Sequence, residues 1–333
     1  MSSLPRITVI GTGGTIAGQG SACAGSAAYR AAVVGVDDLL ANVPGLERLA
    51  RLGVEQIFQI DSADFDDERL LALALARRVQ ACLDDDAVDG VVITHGTDTL
   101  EESAYFLHLV LKSRKPVVLT GAMRPGTALA ADGPRNLFQA VAVAAHASSA
   151  GRGVLVAMDD DIHCARDVSK THSMALRTFA SPFGPLGLTI EARPRWYRAT
   201  ARPHTLQTPF SLPRITALPP VAVVTTHGGV TRVAYDAFAA AGVRGIVHAG
   251  FGGGTVPERV APALRALRAG GIHVVRASRM GGGALVRNAS FDDDDAGSIV
   301  TDDQNAPRAR LLLALGLTLT DDARELQTLF DTY

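Results

Sequence analysis

The 333-residue chain is poor in three features, and each scarcity removes a class of function. Its three cysteines, Cys23, Cys82 and Cys164, are too few and too scattered for a disulfide framework or a CxxC metal site, and read as buried or inert thiols. Charge of neither sign dominates: 32 basic residues stand against 34 acidic ones, with no Lys/Arg-rich run. That argues against nucleic acid or an anionic membrane as main partner and leaves a small molecule as substrate. No apolar window approaches the length of a membrane span. MSSLPRITVI runs into a strand pattern without a basic segment followed by a long apolar one, so a cytoplasmic protein is expected. A chain beginning after a removed signal leaves the periplasm as the alternative.

Short β-branched runs alternate with longer helical patterns, the signature of a parallel sheet covered by helices. Strands are expected at Ile7–Ile10, Val54–Gln59, Gly90–Thr94, Pro116–Thr120 and Gly153–Ala157. Helices are expected at Asp66–Leu83, Leu100–Leu111 and Asn136–Ala147. From 191 to 220 the pattern breaks: this stretch holds six of the sixteen prolines and shows no period, so it reads as a linker. Alternation then resumes, with strands at Val221–Thr225, Gly245–His248 and Ile272–Ala277. Helices follow near Tyr235–Ala241, Val260–Ala269, Ala306–Leu317 and Asp321–Phe330. The expected architecture is two α/β domains: a larger N-terminal one (1–190) with a parallel-type sheet, and a smaller C-terminal one (221–333).

Two strand ends carry hydroxyls beside glycine: RITVIGTGGTIAG (6–18) and GVVITHGTDTLEES (90–103). In an open α/β sheet, ligands bind at the carboxyl ends of strands near a switch in strand order. Gly13 and Gly14 allow close backbone approach. Asp98 followed by Glu101 fits a capping box at the start of the Leu100 helix. The loops fit neither a Rossmann fingerprint, where Ile16 occupies the third glycine position, nor a P-loop; GxSxG is absent. Each loop alone reads equally as a turn with capping threonines. A threonine hydroxyl becomes a nucleophile only beside an activating group. Lysine is scarce: Lys112 and Lys115 read as solvated, whereas Lys170 follows a strand and could take a proton from Thr97.

TGGTIAG (12–18), VITHGTDTLEESAYF (92–106), GAMRP (121–125), ADGPRN (131–136) and RDVSKT (166–171) together resemble the bacterial L-asparaginase (asparaginase/glutaminase) family, most of all its type II branch. The resemblance runs to NAPRARLLLAL (305–315). It implies an amidohydrolase that converts L-asparagine to L-aspartate and ammonia, without cofactor or metal, as a homotetramer of dimers with active sites at interfaces. It implies Thr15 as nucleophile and Tyr29 as the tyrosine of a lid within GQGSACAGSAAY (18–29). Thr97, Asp98 and Lys170 match a second catalytic cluster; Ser62 binds the substrate carboxylate, and Asp98 its ammonium. Gly14 and Ala122 fall to substrate binding.

Three positions depart from that pattern: Ala63 stands where Gln or Glu is frequent, Gly253 where a partner offers Asn, and Ser290 where an acidic residue reaches across the interface. Asp292 could replace that charge. Lost polar contacts weaken binding, so weak glutaminase activity is expected. Where exported relatives offer Cys82 a disulfide partner, this chain has Ser113, which fits a reducing compartment. The runs Asp84–Asp86, Asp159–Asp161 and Asp292–Asp295 lack calcium-loop spacing and read as solvated turns. The nine histidines lack ligand spacing, so no metal is expected. Alternatives are an amidase for another small amide, a silent amino-acid-binding protein, or an amidotransferase subunit acting with tRNA.

Overall fold

The computed structural model describes residues 3–20, 27–65 and 71–333. Two compact units divide between Leu212 and Pro213.

In the first unit, β1 (Arg6–Gly13), β2 (Arg51–Ile60), β3 (Gly90–Thr94), β4 (Val117–Thr120) and β5 (Val154–Met158) form the parallel part of one sheet, in the order β2-β1-β3-β4-β5. The run GVVIT of β3 is buried at every position, as a strand covered on both faces requires. Val92 and Val118 join Ile7, Val9 and Leu155 in an apolar cluster. Leu137, Ala140 and Val141 of α4 (Gly133–Ala145) and Val36 of α1 (Val36–Ala41) complete it. Val91 and Ile93 alternate with Val92 and so face the other side, where α2 (Leu71–Asp84) and α3 (Leu100–Val110) pack on the sheet. The first residues of the helix expected from Asp66, 66–70, lie outside the described residues, as does Cys23.

Three antiparallel strands extend the sheet, which is therefore mixed: β6 (Asp161–Cys164), β7 (Gly187–Ile190) and β8 (Arg193–Trp196). Their composition hides them. β6 follows β5 through a two-residue turn in which Asp159 and Asp160 both take positive φ, 51° and 70°, the left-handed pattern of a type I′ hairpin. β8 lies inside the stretch 191–220 that reads as a linker. It is an edge strand, where Pro194 costs no ladder hydrogen bond on its outer side.

In the second unit, β9 (Val221–Thr225), β10 (Gly245–Gly250), β11 (His273–Ser278) and β12 (Ile299–Asn305) form a parallel sheet in chain order. Helices α5 (Val233–Ala240), α6 (Ala261–Ala269), α7 (Asp293–Ala296), α8 (Ala306–Gly316) and α9 (Ala323–Thr332) complete it. The polar run IVTDDQN concealed β12 from a hydrophobicity reading. The run 292–295 is not simply solvated. Asp293 and Arg276 are both fully buried and form a bidentate pair at 2.8 and 2.6 Å. Asp161 is buried too, paired with Arg177 at 2.9 Å. Asp292 caps α7 by accepting from the Asp295 N–H. Among the described residues, no helix is long and apolar enough to cross a membrane.

Candidate active site

The strand order reverses between β1 and β3: from β1 the chain moves outward to β2, then returns to β3 on the other side. A crevice opens at such a switch point, beyond the carboxyl ends of the two strands. The two threonine loops leave from those ends. They touch through glycines: a Cβ placed on Gly14 would collide with the backbone of Gly96, and one on Gly96 with the side chain of Ser62. Gly14 has φ 79° and ψ −170°, a conformation essentially reserved for glycine.

Thr15 opens a single 3-10 turn, Thr15–Ala17, and is 8 % exposed. Its hydroxyl shares a 2.7 Å hydrogen bond with the Tyr29 hydroxyl. Tyr29 lies in a two-residue antiparallel ribbon, Gln19–Gly20 with Tyr29–Arg30, which folds the chain back over the turn. Ala32 N–H to Gly14 O and Val33 N–H to Ala17 O fasten the return. The stretch 21–26 of the expected lid lies outside the described residues. Gly14 donates its own N–H to Ile60 O at 2.9 Å, so it supplies close approach rather than a free donor.

Thr97 is buried, and its hydroxyl accepts from Lys170 Nζ at 2.8 Å. The same ammonium reaches Asp98 Oδ1 at 2.6 Å. Lys170 Nζ thus bridges Thr97 and Asp98, within hydrogen-bond distance of both. Asp98 keeps more than half its side chain exposed, which leaves its carboxylate room for a second cation. Ser62 completes the group: its Oγ accepts from the Asp98 N–H at 3.3 Å, and its carbonyl accepts from Thr99 Oγ1 at 2.8 Å.

Around these residues lies support that spacing did not disclose. Glu101 forms no capping box; Thr99 is the N-cap without a side-chain cap bond, and Glu101 Oε2 accepts the Lys170 main-chain N–H at 2.5 Å. The i,i+3 pattern fitted a cap, and only a contact 69 residues away shows otherwise. The Ala122 loop is held by Asp132, which accepts from Met123 N and Arg124 N at 2.9 Å each, and by Asn136, which donates to Gly121 O at 3.0 Å. Ala122 itself is fully buried. His95 is fully buried, its ring bonded to Gly96 O at 2.8 Å and Ser103 Oγ at 3.0 Å. Burial pushes its pKa down to about 4, so the ring is neutral at physiological pH.

Lys112 and Lys115 are half-buried and hydrogen-bonded rather than freely solvated. Lys112 Nζ donates to Thr205 O and Thr208 O, tying down the end of the first unit, and desolvation lowers its pKa to about 8. Lys115 Nζ donates to Leu83 O and Asp85 O. Cys82 and Cys164 are buried free thiols.

The family model described as "Asparaginase, N-terminal" matches residues 6–202, and "Glutaminase/Asparaginase C-terminal domain" matches residues 220–330. The chain belongs to the asparaginase family. A glutaminase-asparaginase of Pseudomonas aeruginosa is 48 % identical over 331 residues, covering 99 % of this chain and 91 % of that protein. A protein of Haemophilus influenzae named "Probable L-asparaginase periplasmic" is 42 % identical over 333 residues, covering 100 % of this chain and 94 % of the relative. A crystal structure titled as a probable cytoplasmic L-asparaginase from Campylobacter jejuni superposes with a TM-score of 0.95 at 41 % identity, covering 99 % of this chain and all of that one. The asparaginase resemblance read from TGGTIAG, THGTDT, GAMRP and RDVSKT is thus that of the whole chain.

Proposed function

We propose that the protein hydrolyses the side-chain amide of L-asparagine to L-aspartate and ammonia. The observation that carries this is the pair of activated hydroxyls, Thr15 on Tyr29 and Thr97 on Lys170, borne by loops that meet at Gly14 and Gly96. Thr15 Oγ1 attacks the amide carbon, and its proton passes by way of Tyr29 to the departing nitrogen, which leaves as ammonia. A β-aspartyl ester remains on Thr15. Lys170 polarises Thr97, which holds the water that hydrolyses this ester and frees the Thr15 hydroxyl. Main-chain N–H groups of the two loops, other than that of Gly14, stabilise the oxyanion. Ser62 receives the substrate carboxylate and Asp98 its ammonium.

The expected glutaminase activity is in keeping with the relatives' names, since glutaminase heads the name of the Pseudomonas aeruginosa protein. We therefore include L-glutamine as a second substrate, with Ala63, Gly253 and Ser290 as the positions that set selectivity. In this reading the second unit builds the subunit interface of a homotetramer, and the protein works in the cytoplasm. Free Cys82 and Cys164 accord with that compartment. Light scattering and cell fractionation test those two points; a monomer, or a periplasmic pool, would overturn them. The silent-binder alternative fails if ammonia release from asparagine is stoichiometric with aspartate and disappears in Thr15→Ala.

A further inference from the structure

We propose that Glu101 is a positioning residue for this reaction, holding the main chain of Lys170 in register with Thr97. The proposal rests on the role assigned to Lys170 above. Glu101 lies in the first turn of α3, four residues after Thr97 and three after Asp98. It is 7 % exposed, and its Oε2 accepts the Lys170 N–H at 2.5 Å. A buried carboxylate is stable only when donors satisfy it, and one donor is therefore the backbone of the lysine.

Lys170 is gripped at both ends by one short piece of chain. Thr97 Oγ1 and Asp98 Oδ1 take its Nζ, and Glu101 takes its N–H. This double grip matters because the lysine's own element is slight. Ser169–Lys170 pairs with Phe179–Ala180 over two residues only, extended by Thr171 N–H to Thr178 O at 2.8 Å. Beyond it, residues 172–174 are exposed. A two-residue ribbon supplies few main-chain bonds of its own, whereas a functional side chain must be held within about 0.5 Å of its working position. The lysine stem is long and flexible, so the position of its Cα decides where the ammonium rests. With Glu101 fixing the backbone, the Nζ–Thr97 spacing follows α3 rather than the ribbon.

The ribbon has a second anchor that does not touch Lys170: Arg177 binds Asp161 through two bonds of 2.9 Å. Loosening it provides a control. The experiment measures asparagine turnover, its pH profile and thermal stability for Glu101→Ala, Glu101→Gln, Arg177→Ala and Lys170→Met. We expect Glu101→Ala to lower kcat about 30-fold or more with KM within about threefold, and to shift a limb of the kcat–pH profile, since misplacement by about 1 Å costs up to about 100-fold. Glu101→Gln, which keeps an acceptor oxygen, should recover turnover to within about fivefold of wild type, and Arg177→Ala should retain the wild-type pH profile. The proposal is overturned if Glu101→Ala keeps kcat within about threefold, if KM alone changes, or if Arg177→Ala produces the same loss and shift. Lys170→Met separates the two ideas: wild-type turnover in that variant would refute the role of the lysine itself.

Discussion

Gly14→Ala tests whether contact between the two loops is what makes the site. Gly14 sits at φ 79°, ψ −170°, where an L side chain costs about 1–3 kcal/mol of backbone strain. Its added methyl would also meet the Gly96 backbone, which cannot swing away as a side-chain tip could. Relief requires the Thr97 loop to move off β1, and that loop is tied to Ser62 by two hydrogen bonds. Taking strain and overpacking together at about 3 kcal/mol, Tm should fall by roughly 6–12 °C for a unit of this size. Activity should fall further than stability. A displacement of about 1 Å between Thr15 and Thr97 predicts a loss in kcat of about 100-fold at temperatures where the variant is fully folded. Steady-state ammonia release beside a calorimetric scan measures both. A variant with wild-type kcat and Tm would refute the idea that the loops work in contact.

Acid should destabilise the protein through buried histidines. Burial lowers the pKa of His95 to about 4, His248 to about 4 and His108 to about 3. The unfolded chain then binds more protons than the native state between about pH 6.5 and 4, so stability falls as pH falls through that window, by roughly 3 kcal/mol for each of the first two rings at pH 4. Urea titrations at pH 7 and 4.5 check this; equal midpoints would contradict it. In the second unit, Asp293→Asn strands a buried Arg276 guanidinium and should cost about 3–5 kcal/mol, whereas the double variant Arg276→Met/Asp293→Leu should recover much of the loss. Additive losses in that double-mutant cycle would argue against the pair acting as a unit. Ala63→Gln should lower KM for asparagine by about fivefold if one hydrogen bond to substrate is regained, and an unchanged KM would remove position 63 from the account of selectivity.

The β-branched runs ending at Gly13 and Thr94 were legible because strands buried on both faces must be apolar throughout, and the glycine beside each threonine marked close approach. β6, β7, β8 and β12 were not, since their pairing is set by a hairpin turn or a sheet edge and their residues include Asp, Arg and Gln. The same limit governs charge. Asp161 and Asp293 sit in runs that look solvated, and burial follows only from Arg177 and Arg276, sixteen and seventeen residues away. Site residues known by motif were visible, whereas Glu101 was misassigned because its partner is supplied by a distant ribbon.

The most direct test of the account is ammonia release from L-asparagine, L-glutamine and D-asparagine by wild type and Thr15→Ala. The account predicts turnover of L-asparagine and L-glutamine by the wild type and loss of both in a folded Thr15→Ala. Turnover that survives the substitution would contradict Thr15 as nucleophile; a wild type inert toward all three would contradict the amidohydrolase itself.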